Sequence, residues 1–132
     1  MKVFFDHNVS PKMARAFNEL FKNQHEVIAL RDRFPMNVSD LVWIETLSKE
    51  DRWVVISGDR RITKSKTEYA AFRNSKLIGF FLSAGLHKSK VTKQAERILA
   101  QWDGIESLYA TVKSGAVFEL QMKGTLIRQL RD

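Results

Sequence analysis

The feature that most constrains this chain is an apolar run that stops abruptly at a polar turn. The run covers residues 53–56 (Trp-Val-Val-Ile), and residues 57–61 (Ser-Gly-Asp-Arg-Arg) follow it at once. A β-branched run without polar alternation is typical of a strand buried on both faces of a parallel sheet. The same event occurs earlier, where residues 3–5 (Val-Phe-Phe) lead directly into residues 6–8 (Asp-His-Asn). We therefore expect an α/β sheet in which each of these strands ends at an aspartate.

Hydrophobic periodicity along the rest of the chain predicts alternating strands and helices. Strands are expected over residues 2–5, 25–30, 53–56 and 77–82, with residues 116–120 as a last strand at a sheet edge. Helices are expected over residues 11–23, 40–50, 62–74, 89–102 and 104–112. The order β-α-β-α-β-α-β-α predicts one domain over residues 1–132, with a mostly parallel sheet and helices on both faces.

Charge is distributed unevenly along the sequence. Residues 60–97 hold ten Lys/Arg and two acids, whereas the remaining residues carry a net charge of −1 within a total of +7. A basic block on a folded domain predicts a polyanion partner such as nucleic acid. A solvated basic face without a partner is equally compatible with the charge alone.

Several function classes are excluded by what the sequence lacks. Cysteine is absent, which removes disulfides, thiolate catalysis and cysteine-ligated metals. There is no His-x-x-x-His pair, Gly-rich phosphate loop or Gly-x-Ser-x-Gly elbow. No apolar run reaches the roughly eighteen residues of a membrane span, and the first residues turn polar too soon for a secretory signal. We therefore expect a cytoplasmic protein that does not enter a membrane.

The two strand-end aspartates are candidate metal ligands. In parallel sheets, ligands bind beyond the carboxyl ends of the strands, and this rule places Asp6 and Asp59 at one site. Clustered carboxylates suit Mg²⁺ or Mn²⁺, and such an ion can polarise a phosphoryl oxygen and activate water. Each aspartate could instead serve only its own turn, since both lie in ordinary turn sequences.

A third acid is expected from the helix over residues 40–50, where two alternatives remain open. With Ile44 at the centre of the apolar face, Asp40 falls about 40° from that centre and Glu45 about 100° from it. Asp40 could also simply favour the positive end of the helix. About 140° separates the two side chains around the helix axis, so they are not expected to share one inner position.

Polar neighbours of the aspartates are candidate substrate contacts. Asn8 and Ser57 could orient a carboxylate or a bound water, or make local turn hydrogen bonds. Arg60 and Arg61 could bind a phosphate through their guanidinium groups, although a surface role is equally compatible with either. His7 borders Asp6 and is a further candidate for substrate contact.

Three segments in a fixed order resemble a known family. They are residues 4–16 (FFDHNVSPKMARA), 30–35 (LRDRFP) and 54–62 (VVISGDRRI), and the similarity continues to residues 127–130 (IRQL). Together they resemble the PIN-like domains related to VapC toxins. The resemblance implies a three-layer α/β/α fold and a Mg²⁺- or Mn²⁺-dependent endoribonuclease, often the toxin of a bacterial toxin–antitoxin pair. It also implies a cognate antitoxin protein as partner, and a homodimer.

The resemblance assigns catalytic and metal-binding roles residue by residue. Asp6 matches the first acid of such a site, Asp40 or Glu45 the helical acid, and Asp59 the later strand-end acid. Ser57 matches a hydroxyl residue that often precedes that aspartate. Arg61 stands where many related sequences carry a further acid. This departure favours an alternative, a catalytically weak or inactive nucleic-acid-binding module, and an interaction subunit for an acidic partner is a third option.

Overall fold

A single sheet forms the centre of the protein. The computed structural model describes residues 1–58 and 60–130, and within them the sheet has six strands in the order β2-β1-β3-β4-β5-β6. In chain order the strands are β1 (Lys2–Phe5), β2 (Glu26–Ala29), β3 (Val54–Ser57), β4 (Ile78–Leu82), β5 (Val117–Leu120) and β6 (Arg128–Gln129). All neighbouring pairs are parallel except β5 and β6, which run antiparallel. The prediction of a mostly parallel α/β sheet is confirmed.

Helices cover both faces of the sheet. In chain order the helices of the described residues are α1 (Pro11–Leu20), α2 (Leu30–Arg33), α3 (Asp40–Glu50), α4 (Arg61–Lys64), α5 (Lys66–Arg73), α6 (Ala84–His87), α7 (Val91–Ala100) and α8 (Trp102–Thr111). One core cluster packs α1, α6, α7 and α8 on the sheet, and a second packs α2 to α5 on the opposite face. This is the expected three-layer α/β/α arrangement. Among the described helices, none is long and apolar enough to cross a membrane.

The apolar runs are buried because alternate side chains of each strand pack into the core clusters on opposite faces of the sheet. Val54 and Ile56 of β3 point into the first cluster, while Val55 between them points into the second. β1 divides in the same way, with Phe4 packed at 5.1 Å from the Trp43 ring of α3. Each large apolar side chain buried in this way stabilises the fold by about 1.5–3 kcal/mol. A strand with this environment has no polar face, which explains the continuous runs in the sequence.

The expected helix over residues 62–74 is wrong in one respect, because it is two helices. Ser65 lies between α4 and α5 in an extended conformation, and its side chain accepts a hydrogen bond from the Glu68 backbone N–H. The Ser-x-x-Glu spacing is the start signal of a helix, so the chain begins a new helix after Ser65.

Other boundaries also differ from the sequence prediction. The predicted helix over residues 89–102 ends at Ala100, because buried Gln101 separates α7 from α8 and its side chain bonds to the Gln121 backbone. Residues 31–33 and 84–87, for which no helix was expected, each lie in one helical turn, and the first of these turns also takes Leu30 from the end of the strand predicted over residues 25–30. The last predicted strand is not at the edge, since β6 pairs with β5. A two-residue strand is too short to leave a periodic pattern.

The strand order reverses between β1 and β3. From β1 the chain adds β2 on one side and then β3, β4 and β5 on the other. The connecting loops therefore diverge at the carboxyl ends of β1 and β3, which opens a crevice there. Such a crevice is the usual ligand site of an open parallel sheet, and it receives the residues that follow Phe5 and Ile56.

Candidate active site

Asp6 lies at the bottom of this crevice. Its backbone N–H donates to the Ile56 carbonyl at 2.9 Å, which extends the pairing of β1 and β3 by one residue and fixes the carboxylate over the sheet. The side chain is only 2% exposed. Its Oδ2 accepts a hydrogen bond from Ser57 Oγ at 3.0 Å, and its Oδ1 accepts from the His7 backbone N–H at 2.6 Å. Ser57 is itself buried and orients Asp6, and its substrate contact stays a prediction.

The burial of Asp6 sets its acidity. Loss of hydration raises the pKa of this carboxyl above its ordinary value, and the nearby negative charge of Asp40 raises it further. Contacts with His7 oppose this rise in part. The site thus holds a carboxylate at an energetic cost that a bound cation would relieve.

His7 lies between Asp6 and the surface of the crevice. Its Nδ1 is 2.9 Å from Asp6 Oδ1, and its Nε2 is 3.1 Å from Arg61 Nη2. Arginine can only donate, so Nε2 accepts and Nδ1 carries the proton that is donated to Asp6. The imidazole therefore connects a guanidinium at the surface to a buried carboxylate.

Asn8 joins the two loops of the crevice. Its Oδ1 accepts a hydrogen bond from the Gly58 backbone N–H at 2.7 Å, and Ser57 Oγ lies 3.4 Å from the same oxygen. These contacts tie the end of β3 to the turn after β1. The structure supports an orienting role for Asn8, and its substrate contact stays a prediction.

Asp40 reaches the crevice from the first turn of α3. Ser39 caps this helix by accepting from the Val42 backbone N–H. Trp43 Nε1 donates to Asp40 Oδ1 at 2.9 Å, and the Trp43 ring is fully buried against Phe4. A rigid core residue therefore sets the direction of the Asp40 carboxylate, which points toward β1.

These residues form one cluster. A ligand atom from each of Asp6, His7 and Asp40 lies within 4.8 Å of the other two. The cluster borders a cleft of about 400 Å³ whose wall includes His7, Asp40, Arg61 and Glu68. Sequence elements that are far apart in the chain thus converge on one polar cavity at the strand reversal.

Glu68 is the acid that the sequence analysis missed. It lies on α5, lines the cleft beside Asp40, and its Oε2 is buried with no hydrogen-bond partner in the described part of the chain. Burial raises the pKa of Glu68, and the neighbouring Asp40 carboxyl adds to the rise, whereas Arg61 lowers it. Its signal was present, since Glu68 is one of the two acids within the basic block over residues 60–97.

Glu45, the other helical candidate, does not lie in the cleft. It is on the flank of α3, is exposed, and forms an ion pair with Lys49 at 3.0 Å. It lines a separate groove between α3 and α5, together with Leu41 and Ser48. The angular separation from Asp40 around the helix is the reason. Asp59, the strand-end acid after β3, lies outside the described residues, and its role stays a prediction.

The two adjacent arginines diverge. Arg61 lines the acidic cleft and contacts His7. Arg60 lines a second, neighbouring cavity over the ends of β3, β4 and β5. Its Nη1 is 3.2 Å from Oε2 of Glu119, a buried acid at the end of β5. The two arginines, both predicted to bind phosphate, therefore line two different cavities at the same edge of the sheet.

The donor set fits a divalent cation. Asp40 and Glu68 line the cleft, and the buried Asp6 carboxylate lies beside Asp40 in the cluster. Carboxylate oxygens of this kind suit Mg²⁺ or Mn²⁺. Burial raises the pKa of Asp6 and of Glu68, and a nearby cation would lower both again by favouring the charged carboxylates. Such a cation would also give the unpaired Glu68 Oε2 a partner.

Comparison with family models gives one finding for this chain. A model described as "PIN like domain" matches residues 1–84, which is more than half of the 132-residue chain and includes Asp6, Asp40 and Glu68. The match leaves the relation to VapC toxins untested. Comparison with the curated proteins gave no significant match, and comparison with the solved structures also gave none.

Proposed function

Because the chain belongs to the PIN-like domain family, whose members are generally nucleases, we propose that it is a metal-dependent endoribonuclease. The observation that carries the proposal is the convergence of Asp6, His7 and Asp40 within 4.8 Å, at the strand reversal. Mg²⁺ or Mn²⁺ is the proposed cofactor, since both ions prefer carboxylate oxygens. RNA is the proposed substrate, and the basic block over residues 60–97 supports a polyanion.

The chain's own residues divide the work of the site. Asp6 and Asp40 would hold the ion, with Ser57 and Trp43 fixing their directions. Glu68 and His7 complete the polar wall, and Arg61 stands at its rim to attract a phosphate oxygen. When bound, the ion supplies polarisation of the phosphoryl group and activation of water.

The test is cleavage of RNA with added Mg²⁺ or Mn²⁺. We expect Asp6→Asn and Asp40→Asn to lose at least about 100-fold in rate, the scale of losing one preorganised electrostatic group. Glu45→Gln is the matched control, because it removes a carboxylate from the same helix outside the cleft. Asp59→Asn tests the remaining sequence prediction. Equal cleavage by Asp40→Asn and Glu45→Gln would contradict the assignment of the site.

A nucleic-acid-binding module without cleavage is the second candidate. The observation that favours it is the position of Arg61. Its guanidinium donates a hydrogen bond to His7 Nε2, so a positive charge lies at the cleft where related sequences often carry an acid. This candidate expects RNA binding that persists in Asp6→Asn and Asp40→Asn, together with no metal-dependent cleavage by the wild type. The same preparations therefore separate the two functions.

A toxin role is a further part of the proposal, and it rests on the sequence resemblance. It requires an antitoxin protein that binds this chain and a growth defect that depends on the site. Expression of the wild type should slow growth, and Asp40→Asn should not. Co-expression of a small acidic protein from the neighbouring reading frame should relieve the defect. Equal growth inhibition by Asp40→Asn would contradict a toxin that acts through cleavage.

A further inference from the structure

A positive charge already lies among the acids of the proposed metal site. Arg61 lines the acidic cleft together with His7, Asp40 and Glu68, and its Nη2 is 3.1 Å from His7 Nε2. Burial raises the pKa of Glu68, and the charge of Arg61 opposes that rise. The guanidinium therefore interacts with the groups that would hold a divalent cation.

The contact with His7 also occupies a candidate ligand atom. His7 Nδ1 is 2.9 Å from Asp6 Oδ1, and a neutral imidazole that donates from Nδ1 keeps a single lone pair, on Nε2. Arg61 donates a hydrogen bond to that nitrogen. While this contact lasts, the imidazole has no nitrogen available to a metal ion. A cation that enters the cluster therefore meets both a repelling charge and an occupied donor atom.

The surroundings of Arg61 allow its side chain to change partner. Arg61 is exposed, and it begins α4, a helix of only four residues. Its hydrogen bond with His7 lies at the surface, where water competes for both groups. A phosphate group accepts two parallel hydrogen bonds from a guanidinium and carries a negative charge, whereas the imidazole offers one neutral nitrogen. A phosphate that reaches the cleft is therefore the better partner for Arg61.

We infer that Arg61 changes partner on binding, from the acidic cluster in the free protein to a backbone phosphate of the nucleic-acid strand. In the first position it opposes a divalent ion, and in the second it leaves the carboxylates and His7 Nε2 to that ion. The strand and the ion then bind with positive coupling, since each increases the affinity for the other. The inference rests on the proposed function, because it takes the same ion and the same strand as ligands.

Calorimetric titration of Mn²⁺ into the full chain, without nucleic acid, tests the first position. Arg61→Gln should bind Mn²⁺ about fivefold more tightly than the wild type, the scale of removing one solvent-screened positive charge near a divalent ion. Arg61→Lys keeps the charge and should retain most of the weakening. Lys64→Gln is the matched control, because it removes an exposed cation from the same helix that lines the neighbouring cavity. It should change the Mn²⁺ affinity less than about twofold.

Binding of a labelled single-stranded RNA in chelator, where no cleavage occurs, tests the second position. Arg61→Gln should weaken this binding and reduce the salt slope by about 0.7, the value for one phosphate contact on a single strand. An arginine that contacts only phosphate would lose RNA affinity without any gain in Mn²⁺ affinity, and one that only supports the fold would lose both. Tighter Mn²⁺ binding together with weaker RNA binding is therefore the expected signature of the exchange.

Dimethyl phosphate, a phosphodiester that carries no base, measures the coupling itself. In excess, it should raise the Mn²⁺ affinity of the wild type more than that of Arg61→Gln, with KCl at equal ionic strength as the reference. An equal effect on the two proteins would overturn the inference, because the coupling would then not pass through Arg61. Equal Mn²⁺ affinities of the wild type and Arg61→Gln in the absence of phosphate would overturn it as well.

Cleavage of RNA is scored separately from these affinities. Metal-dependent cleavage by the wild type, without a gain of Mn²⁺ affinity in Arg61→Gln, would overturn this inference and leave the hydrolysis standing. The expected affinities without any cleavage would refute the hydrolysis and leave the exchange of Arg61 standing. Absence of Mn²⁺ binding in both proteins would overturn the metal site and the inference together.

Discussion

Asp6 shows how a candidate functional residue can conflict with stability. Three hydrogen bonds, from Ser57 Oγ and from the backbone and ring of His7, hold a carboxylate that is 2% exposed. Burial nevertheless keeps its pKa above the ordinary value, so the contacts do not fully replace the lost water. The cation proposed for the site would offset this cost, since carboxylates are the ligands that such an ion prefers.

Asp6→Asn should therefore stabilise the protein in the absence of metal. The folded-state pKa of Asp6 is raised, so the buried charge destabilises the wild type above that pKa and the effect is relieved as the pH falls toward the unfolded value. The melting temperature of Asp6→Asn should exceed that of the wild type at neutral pH, and the difference should shrink on acidification. Thermal unfolding followed by circular dichroism, in chelator, measures both.

An exposed carboxylate provides the control of opposite sign. Arg15 lowers the pKa of Asp32 through a direct hydrogen bond, so Asp32→Asn should lose a small stabilisation that is present at neutral pH and disappears in acid. The loss should be slight because the pair is open to solvent. If Asp6→Asn were less stable than the wild type at every pH without metal, the strained-carboxylate account would be wrong.

At the scale of single residues, the sequence predicted positions better than contacts. Helical angle was enough to place Asp40 inward and Glu45 on the flank of α3. It was not enough to find Glu68, because this side chain reaches the cleft through the packing of α5 beside Asp40, which a helical angle does not report. His7 entered the cluster through a hydrogen bond with its own neighbour, which no periodicity reports.

Among the elements, α3 matters most for the site. Its first turn carries Asp40, and Trp43 one turn later connects that carboxylate to the core. The buried face of α3 therefore fixes the position of Asp40 within the acidic cluster. Such supporting contacts usually control metal affinity, since they orient the ligand before the ion arrives.

Trp43→Phe should lower the affinity for a divalent metal ion beyond what its loss of folding stability explains. The change removes the N–H donor to Asp40 while keeping an aromatic ring against Phe4, and loss of such a contact typically lowers affinity about 10-fold or more. Trp102→Phe is the matched control. Trp102 is also buried, but its Nε1 has no hydrogen-bond partner in the described residues and it lies on the other face of the sheet.

Calorimetric titration with Mn²⁺ measures the affinity of both variants, and urea unfolding measures their stability. Both variants should lose stability by similar amounts, because each shrinks a buried ring. Trp43→Phe should then bind Mn²⁺ about 10-fold more weakly, with Trp102→Phe close to the wild type. Equal Mn²⁺ affinity in the two variants would show that the Trp43 contact does not position Asp40.

For the elements in general, buried apolar strands and multi-turn helices were predictable, whereas single helical turns and a two-residue strand were not. The strands β1 and β3 and the helix α3 came out nearly at their observed bounds, since each has a buried run or a capping serine. The single-turn helices α2 and α6 and the two-residue β6 have too few residues for a period. Their existence depends on tertiary contacts, such as the backbone pairing of Leu130 with Val117.

Considered as a whole, the molecule has a core that extends beyond the family match. The match ends at residue 84, yet β4 pairs with β5, and the Phe80 ring stacks on Phe118 at 5.3 Å. Trp102 of α8 lies 5.9 Å from the Phe17 ring of α1. These contacts favour a single cooperative unit over residues 1–132, as the length of the chain also suggests.

A fragment of residues 1–84 should therefore fail to fold on its own. Removal of β5 would expose one edge and part of both faces of β4, and α1 would lose the aromatic partner of Phe17. The full chain should unfold in one transition, whereas the fragment should show no cooperative transition and should bind a hydrophobic dye. Addition of residues 85–132 should restore structure. A cooperative transition of the fragment alone would contradict the single-domain proposal.

The fold also redistributes the basic block that the sequence presents as one feature. Residues 60–97 span helices on both faces of the sheet, Lys76 lies just before β4 at the opposite edge, and Lys93 pairs with Glu96 at 3.3 Å on α7. The cationic side chains that line the two cavities are Arg60, Arg61, Lys64 and Lys88. Within residues 60–97, these four lie at the carboxyl ends of the strands, where the proposed nucleic-acid strand would bind.

The salt dependence of RNA binding should show how many of these four cationic side chains contact phosphates. With three or four phosphates neutralised, log Kobs for a single strand should fall with log salt at a slope of about −2 to −3. Engagement of the whole surplus of eight charges would instead give a slope near −6 by the same relation. Fluorescence anisotropy of labelled RNA over a range of KCl concentrations, in chelator, measures the slope. A slope near −6 would mean that RNA contacts basic side chains on both faces of the protein. That result would contradict a binding site confined to the carboxyl ends of the strands.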